Sequence, residues 1–285
     1  MSIKNSILSF FNRSTGKTVT WRPEELQLEG TGFVHPMPAK DYIPQWYKNI
    51  PQYVPGMQKF NQQNSEYNHT VKACVPLIDA FTAGFIQELS TDLQITRNER
   101  GETRIAWPQQ FLWEPARSPR NPNSMSGFPA PEGYEPNPYL WIQPFEFGVP
   151  KGWSVLITHP LNRNDLPFRT MSAIVDSDDF PLRSEITFYL DKKFTGVIEK
   201  GTPIFQIIPI KREEWSAKRL PFEPSHRAKY VQLTRNVFGG AYRKLFWKKK
   251  TYNDITEHQP ASGIPAEGRC PVMHGESVKE VGGSK

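Results

Sequence analysis

"GWSVLITHP", Gly152 to Pro160, sets Trp153, Val155 and Ile157 at every second position. Alternation with a period of two is the mark of a strand with one buried face. "EITFYL" (Glu185–Leu190) repeats it with Ile186, Phe188 and Leu190. "TGVIEKGTPIFQIIPI" (Thr195–Ile210) reads as a strand, a Lys200-Gly201 turn and a second strand. The stretch from Val149 to Ile210 is therefore expected to hold at least three strands of one antiparallel sheet system. Trp153, Ile157, Ile186 and Phe188 should be mostly buried. Working outward, "LQITRNERGETRIAW" (Leu93–Trp107) is a hairpin with strands at Leu93–Thr96 and Thr103–Trp107 around a polar turn. Short alternating strands separated by turn residues describe an all-β sandwich or barrel.

The 285 residues are 37% hydrophobic and 22% charged, a globular composition on the polar side. The 27 prolines favour turns and extended segments over long helices. Two cysteines, Cys74 and Cys270, cannot make a disulfide framework, which points to a reducing, cytoplasmic setting. No 18-residue apolar run is present, so no membrane contact is expected. The first residues, with a short apolar patch at Ile7–Phe11, do not read as a signal peptide.

Four regions follow. Residues 1–70 read as an extended arm of aromatics beside prolines, as in "DYIPQWYKNIPQY", where Pro44 and Pro51 bracket Trp46 and Tyr47. From Lys72 the pattern turns to strands, and 71–210 form the β-rich core domain, interrupted by a long Pro/Asn/Ser-rich loop at 108–138. Residues 211–250 are a basic helical extension. "HRAKYVQLTRNVF" and "AYRKLFWKKK" read as helices, and Tyr242, Leu245 and Phe246 form an i, i+3, i+4 stripe. Residues 251–285, polar and Gly-rich, are expected to be mostly disordered. Charge is segregated as well. Residues 211–250 carry 12 Lys/Arg against 3 Asp/Glu, or +9, leaving −3 for the rest of a chain of net charge +6. Such an extension is either a solvated helix face or a nucleic-acid contact, with Arg243, Lys244, Lys248, Lys249 and Lys250 as the candidates.

"SAIVDSDDF" (Ser172–Phe180) holds three acids in four positions, Asp176, Asp178 and Asp179. Either they form a turn and ion-pair network, with Arg163, Arg169 and Arg183 as nearby partners, or they form a polar ligand site. In the tail, Cys270 and His274 are too few to close a zinc site, and His159 reads as a structural histidine.

Four segments, in order, resemble the motifs of the trimeric dUTPases and the related dCTP deaminases over about residues 80–210. They are "TAGFIQELSTDLQI" (Thr82–Ile95), "VPKGWSVLITHP" (Val149–Pro160), "SAIVDSDDF" and "IEKGTPIFQIIPI" (Ile198–Ile210). The resemblance implies a mainly β chain, a dUTPase-like double-sheet β-barrel or sandwich with an extended N-terminal arm and short C-terminal helices. It also implies a homotrimer. By position, Asp176 matches the family's water-activating carboxylate and Asp178 its second one. Gly84 and Gln206 match the first and fourth motifs. Ile86 stands where the family carries a carboxylate, Leu161-Asn162 where it carries Arg-Ser, and Phe188 near the deaminase glutamate. Over most of its length, through "IPQWYKNIP", "CVPLIDAFTAGF" and "HPLNRNDLPFRTMSAIVDSDDF", the chain is also similar to an uncharacterised family encoded by tailed phages and some bacteria. That likeness implies a virion or host cytoplasm.

The expectation is a non-catalytic, phage-associated binding or assembly protein without a cofactor, acting through self-association or a protein partner. One alternative is a divergent Mg²⁺-dependent pyrimidine nucleotide hydrolase or deaminase, using Asp176 and Asp178 with Gly84, Arg163, Arg169, Arg183 and Gln206 at the ligand. The other is a nucleic-acid-binding factor acting through 211–250.

Overall fold

The computed structural model describes residues 17–24, 33–63, 66–179, 185–235, 240 and 242–256. Arg183, Cys270, His274 and the segment Ile7–Phe11 lie outside them, as does nearly all of the expected disordered tail. The chain divides into two units, Met1–Asp254 and Ile255–Lys285.

The described chain is mainly β, built from antiparallel strands. In chain order these are β1 (Thr20–Pro23), β2 (Met37–Pro38), β3 (Phe60–Asn61), β4 (Glu66–Tyr67), β5 (Phe85–Glu88), β6 (Leu93–Arg97), β7 (Thr103–Ala106) and β8 (Ala116–Arg117). There follow β9 (Tyr139–Ile142), β10 (Phe145–Gly148), β11 (Trp153–Thr158), β12 (Phe168–Thr170), β13 (Ala173–Val175), β14 (Glu185–Leu190), β15 (Gly196–Ile198) and β16 (Pro203–Lys211). The principal sheet runs β13-β11-β16-β5-β2 and a second runs β12-β14-β9-β8; β15-β6-β7 make a third. The expected strands between Val149 and Ile210 are all present, and the hairpin of β6 and β7 pairs Ile95 with Ile105.

One apolar cluster joins the sheets, and Ile157, Ile186 and Phe188 belong to its buried part. Trp153 does not. It opens β11 at the edge of the cluster, half-buried, with the Lys17 ammonium 4.9 Å from its ring centre. At the centre, Trp141 of β9 stacks on Phe188 of β14 at 3.7 Å and 9°. Its indole N–H donates to Thr170 Oγ1 at 3.2 Å, and Thr170 Oγ1 donates to the Ile204 carbonyl at 2.6 Å. This buried chain crosses from the second sheet to β16 of the principal one. A hydroxyl suits the position because it donates and accepts at once.

The described parts of the N-terminal region hold regular structure. β1 pairs with β10 and β2 adds an edge to the principal sheet. Trp21 meets Phe85 and Phe147, and Tyr47 meets Phe81, so the aromatics do lie on the body. The stretch between Pro44 and Pro51 is a short helix, Gln45–Asn49, rather than extended chain. Pro44 precedes its first residue, where a fixed φ and a missing N–H cost nothing. The chain after Lys72 likewise begins with a helix, Val75–Phe81, before the first core strand. Beyond β16, Pro224–Arg235 is helical as expected. In "AYRKLFWKKK" only Tyr242–Phe246 winds, as a π turn, and its apolar stripe is exposed rather than packed. Among the described residues no helix is long and apolar enough to cross a membrane.

The Trp141–Thr170–Ile204 chain gives a direct test. Thr170→Val keeps the shape but leaves a buried N–H and a buried carbonyl unpaired, at about 1–3 kcal/mol each. Urea unfolding should show a loss of about 2 kcal/mol or more for Thr170→Val and a much smaller one for Thr170→Ser.

Candidate functional site

The aspartates sit in the turn that follows β13, against the start of β11. Ser154 Oγ donates to Asp176 Oδ1 at 2.6 Å. The Gly152 N–H donates to Asp178 Oδ2 at 2.9 Å. Arg212, the residue after β16, forks onto Asp178, with Nη1 2.9 Å from Oδ1 and Nη2 on Oδ2. Its Nη1 also lies 3.3 Å from Asp176 Oδ1 and 3.1 Å from the Trp153 carbonyl. Lys151 pairs with Asp179. The Asp178 side chain has no solvent-accessible surface. The two-pronged bond from Arg212, aided by the Gly152 amide, holds its carboxyl below the usual carboxylate range. Asp176 is exposed and takes both of its protein contacts on Oδ1, but no group of three or more His, Cys, Asp or Glu able to hold a metal occurs among the described residues. The acids therefore pair with Arg212 and Lys151, not with Arg163 or Arg169.

Gly84 and Gln206 do come together. Gly84 has φ +66°, and a Cβ there would stand 2.0 Å from the Ile207 carbonyl oxygen. Only glycine lets β5 approach β16 this closely. Two residues along, Ile86 pairs with Gln206. The Gln206 side chain is buried, and its carboxamide is fully engaged by the protein. Its N–H₂ donates to the carbonyls of Ala80 (3.1 Å) and Ala83 (2.6 Å), and its oxygen accepts from Leu161 N–H at 2.8 Å. Ile86 is buried as well.

The Pro160–Arg163 turn closes through Arg163 N–H to the Pro160 carbonyl at 3.1 Å, with Asn162 at φ 62°. Positive φ at the third position defines a type II turn, and asparagine tolerates it. The Arg163 guanidinium is committed to Asp165, at 2.8 and 2.9 Å. Arg169 lies exposed on β12 without a carboxylate partner among the described residues. His159 Nδ1 accepts from Thr170 N–H at 3.3 Å, so its proton sits on Nε2, 2.8 Å from the Arg163 carbonyl it donates to. Burial pushes the imidazole pKa down, and the ring is a neutral structural element.

In the basic extension, Lys250 Nζ is 2.6 Å from Asp79 Oδ2, and Trp247 Nε1 donates to both Asp79 oxygens at 3.1 and 2.9 Å. Just beyond, the Tyr252 ring meets Phe85 at 5.9 Å and His35 lies 3.2 Å from Asp254. Lys250 thus anchors the chain to the helix Val75–Phe81. Arg243, Lys244, Lys248 and Lys249 remain exposed. Arg212, Lys151 and Ser154 went unread as site residues because no local pattern marks them; only the register of β11 against β16 and β13 brings them to the aspartates.

No protein-family model matches this chain, and no curated protein matches it.

The pairing of Asp178 with Arg212 has a pH signature. An aspartate whose folded pKa lies below its unfolded value of about 3.9 contributes stability that is full above that pH and is lost as pH falls through the folded value. Asp178→Asn should lower the urea midpoint at pH 7, and the deficit should shrink as pH drops below about 4. An equal deficit at pH 7 and pH 3 would mean the charge is not what holds the turn.

Proposed function

We propose that this chain is a non-catalytic binding or assembly protein, in which a dUTPase-like β scaffold presents its basic extension to a macromolecular partner. The observation that carries the reading is the fate of the acids. Asp178 is buried under Arg212 and the Gly152 amide, and Asp176 is held by Ser154. The scaffold half of the reading draws support from strand order. The four segments that resemble the dUTPase motifs fall on or beside β5, β11, β13 and β16, which are neighbours in one sheet.

Hydrolysis of a nucleoside triphosphate depends on positioned cations and donors around the phosphates. Ile86 offers no oxygen, the Leu161 amide is spent on Gln206, and the Arg163 guanidinium is spent on Asp165. Each missing charge-assisted contact costs about 1.5–3 kcal/mol, so two or three weaken binding by several powers of ten.

Incubation with dUTP, dCTP or their ribo-forms and Mg²⁺ should release neither pyrophosphate nor ammonia. Asp176→Ala should cost about 1–2 kcal/mol in stability, because the buried Ser154 hydroxyl loses its acceptor. Turnover that vanishes in Asp176→Ala would overturn the reading in favour of a divergent hydrolase or deaminase.

A further inference from the structure

Arg212 is fixed on Asp178 and Trp247 on Asp79, and of the chain between them the described residues 213–230 and 242–246 are exposed. Residues 212–223 have no regular secondary structure, and from Glu213 to Tyr230 every residue is exposed. Large rings stand in solvent along this arm, Trp215 at 86%, Phe222 at 76% and Tyr230 at 58% exposure. Cations alternate with them. Lys218 and Arg219 lie between Trp215 and Phe222, and Arg227 and Lys229 precede Tyr230. In the second half, Arg243 and Lys244 lie between Tyr242 and Phe246, with Lys248 and Lys249 beyond, all exposed.

We infer that this arm binds single-stranded nucleic acid, its rings stacking on bases and its cations meeting phosphates. The inference deepens the binding-scaffold reading and rests on it. Charge selects the partner. Three basic residues of the extension are already neutralised, Lys211 by Glu213, Arg212 by Asp178 and Lys250 by Asp79. The eight named above have no carboxylate partner among the described residues, and Glu214 and Glu223 are the only other acids in the arm. Two such arms repel each other, which disfavours association of like copies, whereas a polyanion releases counterions on binding. Ring chemistry selects the strand state. The exposed large apolar side chains are mostly aromatic, and a ring can stack on a base only where that base is not already stacked in a duplex.

The test is fluorescence polarisation of labelled 20-nucleotide oligo(dT) and oligo(U), and of a duplex of equal length, against the full chain. Both single strands should bind at about 50 mM salt, the duplex at least about tenfold more weakly. A preference between oligo(dT) and oligo(U) identifies the natural strand as DNA or RNA. The slope of log K against log salt should approach about −5.6 if all eight cations engage, at roughly −0.7 per phosphate contact. Lys248→Ala with Lys249→Ala should flatten that slope by about 1.4. Trp215→Ala with Phe222→Ala should weaken binding by about tenfold or more at an unchanged slope. These side chains are exposed, so the melting temperature should stay that of the wild type. No binding at low salt, equal binding of duplex, or full binding by the aromatic variant overturns the inference. So does a concentration-dependent dimer in sedimentation that binds no oligonucleotide, which would give the arm to a second copy. None of these outcomes touches the non-catalytic reading, which falls only to nucleotide turnover.

Discussion

The carboxamide of Gln206 ties two separate pieces of chain to the central strand of the principal sheet. It meets the end of the helix Val75–Phe81 through Ala80, the following turn through Ala83, and the Pro160–Arg163 turn through Leu161. Gly84 extends the same contact, because its bare Cα lets the chain press on the Ile207 carbonyl. A buried amide with all its partners supplied is stabilising, and the same amide with a partner missing is costly. This asymmetry makes Gln206 a position that specifies the arrangement of β5, β11 and β16. The Gln206 carboxamide, bonded to the chain's own backbone, is not available to a ligand.

The acids follow the same logic with charge. Asp178 holds Arg212 where the chain leaves β16, and Asp79 holds Trp247 and Lys250 where it returns. The two carboxylates thus mark the two roots of the exposed arm. Between those roots the cations whose side chains are described have no carboxylate partner and the described rings stand exposed, whereas the body pairs Arg97 with Glu135 and Arg163 with Asp165. Charge is thus paired at these points of the body and left exposed along the described part of the arm.

The regular strands were legible because their pattern is local. β11, β14 and the β6–β7 hairpin declare themselves by alternation and by the turn at Gly101, and β16 by its apolar run after Gly201. The short helix Val75–Phe81 was not legible, since β-branched Val75 and Pro76 argue for extended chain until the first-turn role of proline is recognised. Strands as brief as β2 carry no period at all. The site was legible only as a choice between a turn network and a ligand site. Sequence brings the three aspartates together, but Arg212 and Ser154 reach them through register, across 34 and 22 positions. Likewise the run Lys248–Lys250 reads as three equal charges, and only the fold singles out Lys250 for Asp79, 171 positions away.

The central claim is that Asp178, Gln206 and Arg163, three polar residues proposed above for a nucleotide site, are committed to holding the fold. Thermal unfolding of the wild-type protein with millimolar pyrimidine nucleoside triphosphates, with and without Mg²⁺, tests it most directly. A ligand at 100 times its Kd stabilises the native state by about 2.7 kcal/mol, which for a chain of this size raises Tm by roughly 5–10 °C. The account predicts no Mg²⁺-dependent rise. A saturable rise of that size, specific to one nucleotide and requiring Mg²⁺, would contradict it.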